Sequence, residues 1–225
     1  MKKYSHLLFD ADNTLLDFSK SEQIAITEVF DKYNVSLENV ELFSRLNDRA
    51  WKEYEKGSVS RSELRISRFQ SLISHINRFD LDPKVLDSEY FEAMSNTSIN
   101  VPGSIELCKK CAEMGYKLYI ITNGSAYTQN KRINSNVINK YITKAYISEE
   151  IGLSKPNKDF FDYVLKDIKA SSSDCLIIGD SLTSDIQGGI NSSIDTCWYN
   201  PLNTEPKGIA PTYTISDLKQ LIHIL

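Results

Sequence analysis

The sequence predicts an α/β fold: a doubly wound parallel sheet (Rossmann-like core) with an inserted helical cap domain. Three observations carry that prediction. The apolar run Leu7-Leu8-Phe9 leads straight into Asp10-Ala11-Asp12-Asn13-Thr14. From about residue 17 to 97 the apolar positions repeat at helical spacing and no β-signal interrupts them. Beyond Val101-Pro102-Gly103, helical and β-rich segments alternate, the rhythm of βα units on a parallel sheet. The expected division is therefore 1–16 with 98–225 for the core and 17–97 for the cap.

Strand one covers residues 6–10. A helix starts at Phe18, with Ser19 and Glu22 spaced as a capping box and Ile26, Val29, Phe30 and Tyr33 behind them. A second helix carries Val40, Phe43, Trp51 and Tyr54 and stops at Gly57. Ser60 and Glu63 form another capping pair, followed by Leu64, Phe69, Leu72, Ile73 and Ile76. Asp82-Pro83 opens a fourth helix through Tyr90 and Met94. In the core a helix over 104–114 ends at Gly115, and a strand fills 116–122. Tyr146-Ile147 is a short strand, 158–168 a helix, and Cys175–Ile178 a strand ending in Gly179-Asp180. Thr196–Tyr199 and Tyr213–Ile215 complete the set.

A length of 225 residues suits one full domain with an insertion. No apolar stretch approaches the ~20 residues of a membrane helix, and no signal peptide is visible. A net charge of −4 argues against nucleic acid polymers as standing partners but leaves room for a local cationic site that takes a small phosphate ester. Four cysteines in this length suggest a reducing, cytoplasmic setting. Cys108-x-x-Cys111 lies within a helical pattern with no second pair, so both read as small core residues. Trp51, Tyr54 and Phe69 read as cap core, and Arg65 and Arg68 as solvated or paired.

Two carboxylates at the end of a buried strand need a use, because burying an unpaired charge is costly. Three further polar groups fall at strand ends or in nearby loops: Thr122-Asn123-Gly124, Lys155-Pro156, and Asp180 with Asp185. In a doubly wound sheet these ends converge on one crevice with Asp10 and Asp12. The inventory suits phosphoryl transfer. Acids offer hard oxygen ligands for Mg2+, and a carboxylate can serve as nucleophile. A hydroxyl, backbone N–H groups and a lysine can hold phosphoryl oxygens. The remaining acid can move protons. Taken singly, each group has a plainer reading as a turn, a helix cap or a surface lysine. The chain lacks the parts for other chemistry: its three histidines are scattered, and no G-x-S-x-G, G-x-x-x-x-G-K-[ST] or G-x-G-x-x-G motif occurs.

These four motifs, in this order, resemble those of the haloacid dehalogenase-like hydrolase superfamily, and the helical insertion is similar to its first class of cap. The resemblance implies Asp10 as nucleophile and metal ligand, and Asp12 as general acid/base with its carbonyl on the metal. It implies phosphate binding by Ala11, Thr122, Asn123 and Lys155, and Mg2+ held by Asp10, Asp12 and Asp180 with Asp185 in support. Asp12 favours phosphate esters over dehalogenation. Further segments resemble the house-cleaning pyrimidine 5′-nucleotidases: Ile121–Gly124, Ile147–Asn157, Gly188–Asn191, Thr196–Asn200 and Gly208–Tyr213, with Trp51, Tyr54, Gly57 and Arg68-Phe69 in the cap. The expected substrate is then a pyrimidine nucleoside monophosphate, and the expected state a monomer or homodimer. The alternatives are phosphoglycolate or a sugar phosphate as substrate, or a non-catalytic binding protein on the same fold.

Overall fold

The computed structural model describes residues 3–206 and 208–225. Six parallel strands form one sheet in the order β3-β2-β1-β4-β5-β6: β1 (His6–Phe9), β2 (Lys117–Thr122), β3 (Ile142–Ile147), β4 (Cys175–Gly179), β5 (Asp195–Tyr199) and β6 (Tyr213–Ile215). Strand β1 is central, with Phe9 in register with Ile120 of β2 and Ile178 of β4. The chain runs outward from it in both directions, so the strand order reverses at β1.

Alternation along the strands sends side chains to two cores. Leu7, Phe9, Ile120 and Ile178 pack on one face with Leu107, Cys108 and Cys111 of the helix Ser104–Glu113. Leu8, Ile121 and Ile177 pack on the other with Phe160, Phe161 and Val164 of the helix Lys158–Ile168. Burial on both faces explains why β1 and β4 are continuous apolar runs. The four cysteines are buried and free, and burial pushes the thiols of Cys108 and Cys111 up to about 12, which leaves them unreactive packing groups.

The chain divides into two compact units, one of residues up to Phe18 with Ser98–Leu225, the other Ser19–Thr97. The second unit is all helix: α1 (Phe18–Lys32, which begins at the boundary), α2 (Val40–Glu55), α3 (Arg61–Ile76) and α4 (Pro83–Asn96). Ser60 and Glu63 form the expected capping box, and Asp82 caps α4 ahead of Pro83. The Ser19–Glu22 box does not form. Ser19 lies inside α1, and Glu22 turns inward to accept from Asn47 at 2.6 Å.

Glu22 belongs to a buried polar chain. Arg68 donates to Asn47 at 2.7 Å and pairs with Asp87 at 2.8 Å, and Arg65 closes on the same carboxylate at 2.6 Å. The Arg68 guanidinium stands 4.7 Å from the Tyr90 ring centre and 5.4 Å from that of Phe69. Trp51 and Tyr54 are only half-buried and meet edge to face at 5.8 Å. Among the described residues no helix is long and apolar enough to cross a membrane.

Removing one partner of a buried pair strands the other charge. Asp87→Ala is expected to cost about 3–5 kcal/mol, read from the urea midpoint, whereas Arg68→Met with Asp87→Leu recovers most of it. A single variant with the wild-type midpoint would contradict this account of the helical unit.

Candidate active site

The site is built at the carboxyl ends of β1, β2 and β4. The Asp10 N–H donates to the Ile178 carbonyl at 2.8 Å, which extends the β1–β4 pairing by one residue and sets Asp10 beside Gly179. The chain then turns sharply. The Ala11 carbonyl accepts from Leu15 and Leu16 at 3.0 and 2.8 Å, and Asn13 takes a left-handed φ of 57° that asparagine tolerates better than most residues.

Lys155 is the hub. Its Nζ donates to Asp10 Oδ1 at 2.6 Å, to Asp185 Oδ1 at 2.6 Å and to the Ile121 carbonyl at 2.9 Å, which uses all three ammonium protons. Burial disfavours its charge, but the two carboxylates outweigh that and hold its pKa above the ordinary lysine value. Asn123 fixes the loop that carries Lys155. Its Nδ2 donates to the Lys155 carbonyl and its Oδ1 accepts from the Lys155 N–H, both at 2.9 Å. The Asn123 side chain thus braces the loop by both backbone groups of Lys155.

Asp185 lies in a π-helical turn, Leu182–Ile186, that follows β4. It is fully buried, and its Oδ2 accepts from the Ser181 N–H at 3.1 Å. Gly179 makes its position possible, because a Cβ there would stand 2.2 Å from Asp185 Oδ2. The Trp198 indole donates to the Asp180 carbonyl at 2.8 Å and fixes that residue's backbone.

One carboxylate oxygen from each of Asp10, Asp180 and Asp185 lies within 4.8 Å of the others. The ammonium of Lys155 bonds two of these three acids, Asp10 and Asp185, and leaves Asp180 without a bond to it. Burial, reinforced by Asp185 and Asp180 against the pull of Lys155, holds Asp10 well above the usual carboxylate range. Burial and Asp185 likewise push Asp180 up to about 8. The cluster carries more negative charge than its surroundings solvate, so it favours a proton or a cation. All-oxygen donors of this kind suit a hard divalent ion such as Mg2+.

Asp12 stands apart from that cluster. Its carboxylate is held by the helix α6 (Ala126–Ser135, numbered after α5, Ser104–Glu113): Arg132 Nη1 donates to Oδ1 at 2.6 Å and Gln129 Nε2 to Oδ2 at 2.8 Å. Gln129 Nε2 also donates to Thr122 Oγ1 at 2.7 Å, and the Gly124 N–H donates to the same oxygen at 3.1 Å. A hydroxyl accepts two bonds and donates one, so the Thr122 proton is left to be given to a third group.

Sequence reasoning missed α6, and with it Gln129 and Arg132. The segment Ser125–Asn136 is almost wholly polar, and the face it buries carries Thr128, Gln129 and Arg132, with Ile133 as its one large apolar group. Apolar periodicity is blind to a helix whose inner face is polar. Glu149, on the short helix α7 (Ser148–Ile151), accepts from the Ala126 N–H at 2.6 Å and so caps α6 from outside it. The available signal was Asn-Gly followed by basic and amide residues at i, i+3 spacing.

Residues 7–199 match the family described as haloacid dehalogenase-like hydrolase. The HAD-hydrolase YfnB of Bacillus subtilis (strain 168) is 35% identical, covering 100% of this chain and 97% of that protein. Its crystal structure, bound to magnesium and revealing interdomain movement, superposes with a TM-score of 0.93 over 100% of this chain and 99% of that one. The pyrimidine 5′-nucleotidase YjjG of Escherichia coli (strain K12) is 34% identical over 99% of this chain and 98% of that protein. The pyrimidine 5′-nucleotidase PynA of Streptococcus pneumoniae (strain ATCC BAA-255 / R6) is 34% identical over 99% and 95%. The chain belongs to the haloacid dehalogenase-like hydrolase family. Within it, the chain is an enzyme of the phosphoric monoester hydrolase class.

Gly179→Ala tests the packing that seats Asp185. The added methyl must displace a buried carboxylate bonded to Lys155, at an expected cost of about 1–3 kcal/mol. A lowered thermal midpoint with reduced hydrolase activity is the predicted result, and wild-type values for both would contradict it.

Proposed function

We infer that the protein is a Mg2+-dependent 5′-nucleotidase that hydrolyses pyrimidine nucleoside monophosphates through an aspartyl-phosphate on Asp10. The observation that carries the reading is the buried cluster in which Lys155 ties Asp10 to Asp185, with Asp180 alongside and a second acid, Asp12, two residues on. The substrate class is supported by the likeness to YjjG and PynA, both named pyrimidine 5′-nucleotidases.

Asp10 and Asp180 would hold the cation, with the Asp12 carbonyl, and Asp185 would support them from its place on Lys155. When bound, the cation supplies positive charge against the phosphoryl oxygens. The rest is the work of this chain's own residues. Lys155 engages Asp10 Oδ1, which leaves Oδ2 to attack phosphorus. As the Asp10–phosphorus bond forms, the bond from phosphorus to the ester oxygen breaks, and Asp12 gives its proton to the departing nucleoside alkoxide. A water then attacks the same phosphorus while Asp12 takes one of its protons. The bond to Asp10 breaks and phosphate leaves, with Asp10 again a carboxylate and Asp12 again carrying a proton, as at the start. Through both steps the Thr122 hydroxyl donates to a phosphoryl oxygen, the Ala11 and Asn123 backbones hold the group, and Lys155 offsets its charge. The helical unit would serve as the cap that sets substrate choice.

The test is phosphate release with Mg2+ from dUMP, dTMP, UMP, dCMP, AMP, phosphoglycolate and hexose phosphates, with Asp10→Asn as control. The expected result is preference for the pyrimidine nucleotides and loss of all turnover in the variant. Preference for phosphoglycolate or a sugar phosphate would keep the chemistry and overturn the substrate. Mg2+ is also expected to raise the thermal midpoint of the wild-type protein, because binding to the folded state alone stabilises it, and EDTA to reverse the rise. A midpoint indifferent to Mg2+ would count against the metal site.

A further inference from the structure

We propose that Gln129 and Arg132 of α6 are positioning residues that clamp the carboxylate of Asp12 in its working orientation. The proposal rests on the reading of Asp12 as general acid/base. Its basis is a closed hydrogen-bond triangle. Arg132 Nη1 donates to Asp12 Oδ1 at 2.6 Å and to Gln129 Oε1 at 3.1 Å, and Gln129 Nε2 donates to Asp12 Oδ2 at 2.8 Å. Each nitrogen has two hydrogens, and each uses both, because Gln129 Nε2 also reaches Thr122 Oγ1 at 2.7 Å.

The triangle admits one orientation of the Gln129 amide. Turned over, its oxygen would face the Asp12 carboxylate and its N–H groups the guanidinium, two repulsions in place of two bonds. Both residues are almost wholly buried, Gln129 and Arg132 at 1% exposure each, so neither can swing to another partner without opening the core. Gly124 leaves the room they need: a Cβ there would lie 2.5 Å from the Gln129 side chain.

The effect on Asp12 is specific. It sits on a turn just past β1, and its side chain is partly exposed and short, with rotamers that would otherwise be open to it. Two donors from one helix, one on each oxygen, fix the plane of the carboxylate. A carboxylate offers about four acceptor positions, so the clamp still leaves each oxygen a direction from which to exchange a proton with an alcohol or a water. A group that moves protons gains most from being held in place before the reaction. The same Gln129 amide also bonds the Thr122 hydroxyl, so the proton-transfer group and the phosphate-binding hydroxyl are set by one side chain.

The test separates positioning from mere support of the fold. Nitrophenolate leaves phosphorus without needing a proton, whereas a nucleoside alkoxide needs one, so only the second depends on an acid. Because kcat/KM reports events up to the first irreversible step, the ratio of kcat/KM for UMP to that for p-nitrophenyl phosphate isolates that dependence. In full-length protein Asp12→Asn should lower the ratio by about 100-fold. Arg132→Lys, which keeps the charge and loses the planar fork, and Gln129→Met, which keeps the volume and loses both donors, should each lower it by about 10-fold. Should Arg132→Lys fail to fold, Gln129→Met decides alone. A ratio at the wild-type value in the clamp variants, whatever the loss of rate, would overturn the proposal and leave α6 a purely structural helix. A wild-type ratio in Asp12→Asn would instead remove the acid/base reading on which the clamp stands. If the wild-type enzyme spares UMP, any alkyl phosphate that it does cleave takes its place in the ratio.

Discussion

The buried ammonium of Lys155 is the constraint on which the rest of the site depends. Its three protons go to Asp10, Asp185 and the Ile121 carbonyl, groups carried by β1, the turn after β4, and β2. One side chain therefore ties the carboxyl ends of three neighbouring strands at the point where strand order reverses. Remove the charge and two buried carboxylates are left facing each other. Remove either carboxylate and the ammonium loses part of the compensation for its own burial.

Smaller choices in the sequence follow from seating that group. Asn123 holds the Lys155 loop by both backbone groups of one residue, and Gly179 gives up its Cβ so that Asp185 can reach the ammonium from below. The result is an anionic cluster around the Lys155 ammonium, which remains short of positive charge. That shortage favours a divalent cation among the three acids. Asp12 is kept outside the shortage by its own partners on α6, so the two acids of one turn live in different electrostatic surroundings. Separate surroundings suit the separate roles proposed for them, nucleophile and proton carrier.

How much of this was legible beforehand depends on what each residue buries. Strands β1, β2 and β4 announce themselves because both of their faces are apolar, and the polar clusters that end them mark the site. The helix 158–168 is read to the residue, since its apolar face is plain and Asn157 caps it. Strand β3 is longer than its readable part because Ile142–Ala145 lies toward the edge of the sheet and is partly exposed, so Lys144 and Thr143 mask the pattern. The Ser19–Glu22 spacing misleads because Glu22 has a stronger partner in Asn47 across the helical unit. Helix α6 is invisible because most of what it buries is polar, and polar burial is decided by partners distant in sequence.

The measurement that bears most directly on this account is a rapid-quench experiment with phosphorus-labelled nucleotide, followed by mapping of the labelled peptide. An aspartyl-phosphate on Asp10 that forms and decays fast enough to account for turnover, and that is absent from Asp10→Asn, is the predicted result. Turnover with no label on the peptide carrying Asp10, or label on a different residue, would contradict the assignment of the nucleophile and with it the purpose assigned to the Lys155 cluster.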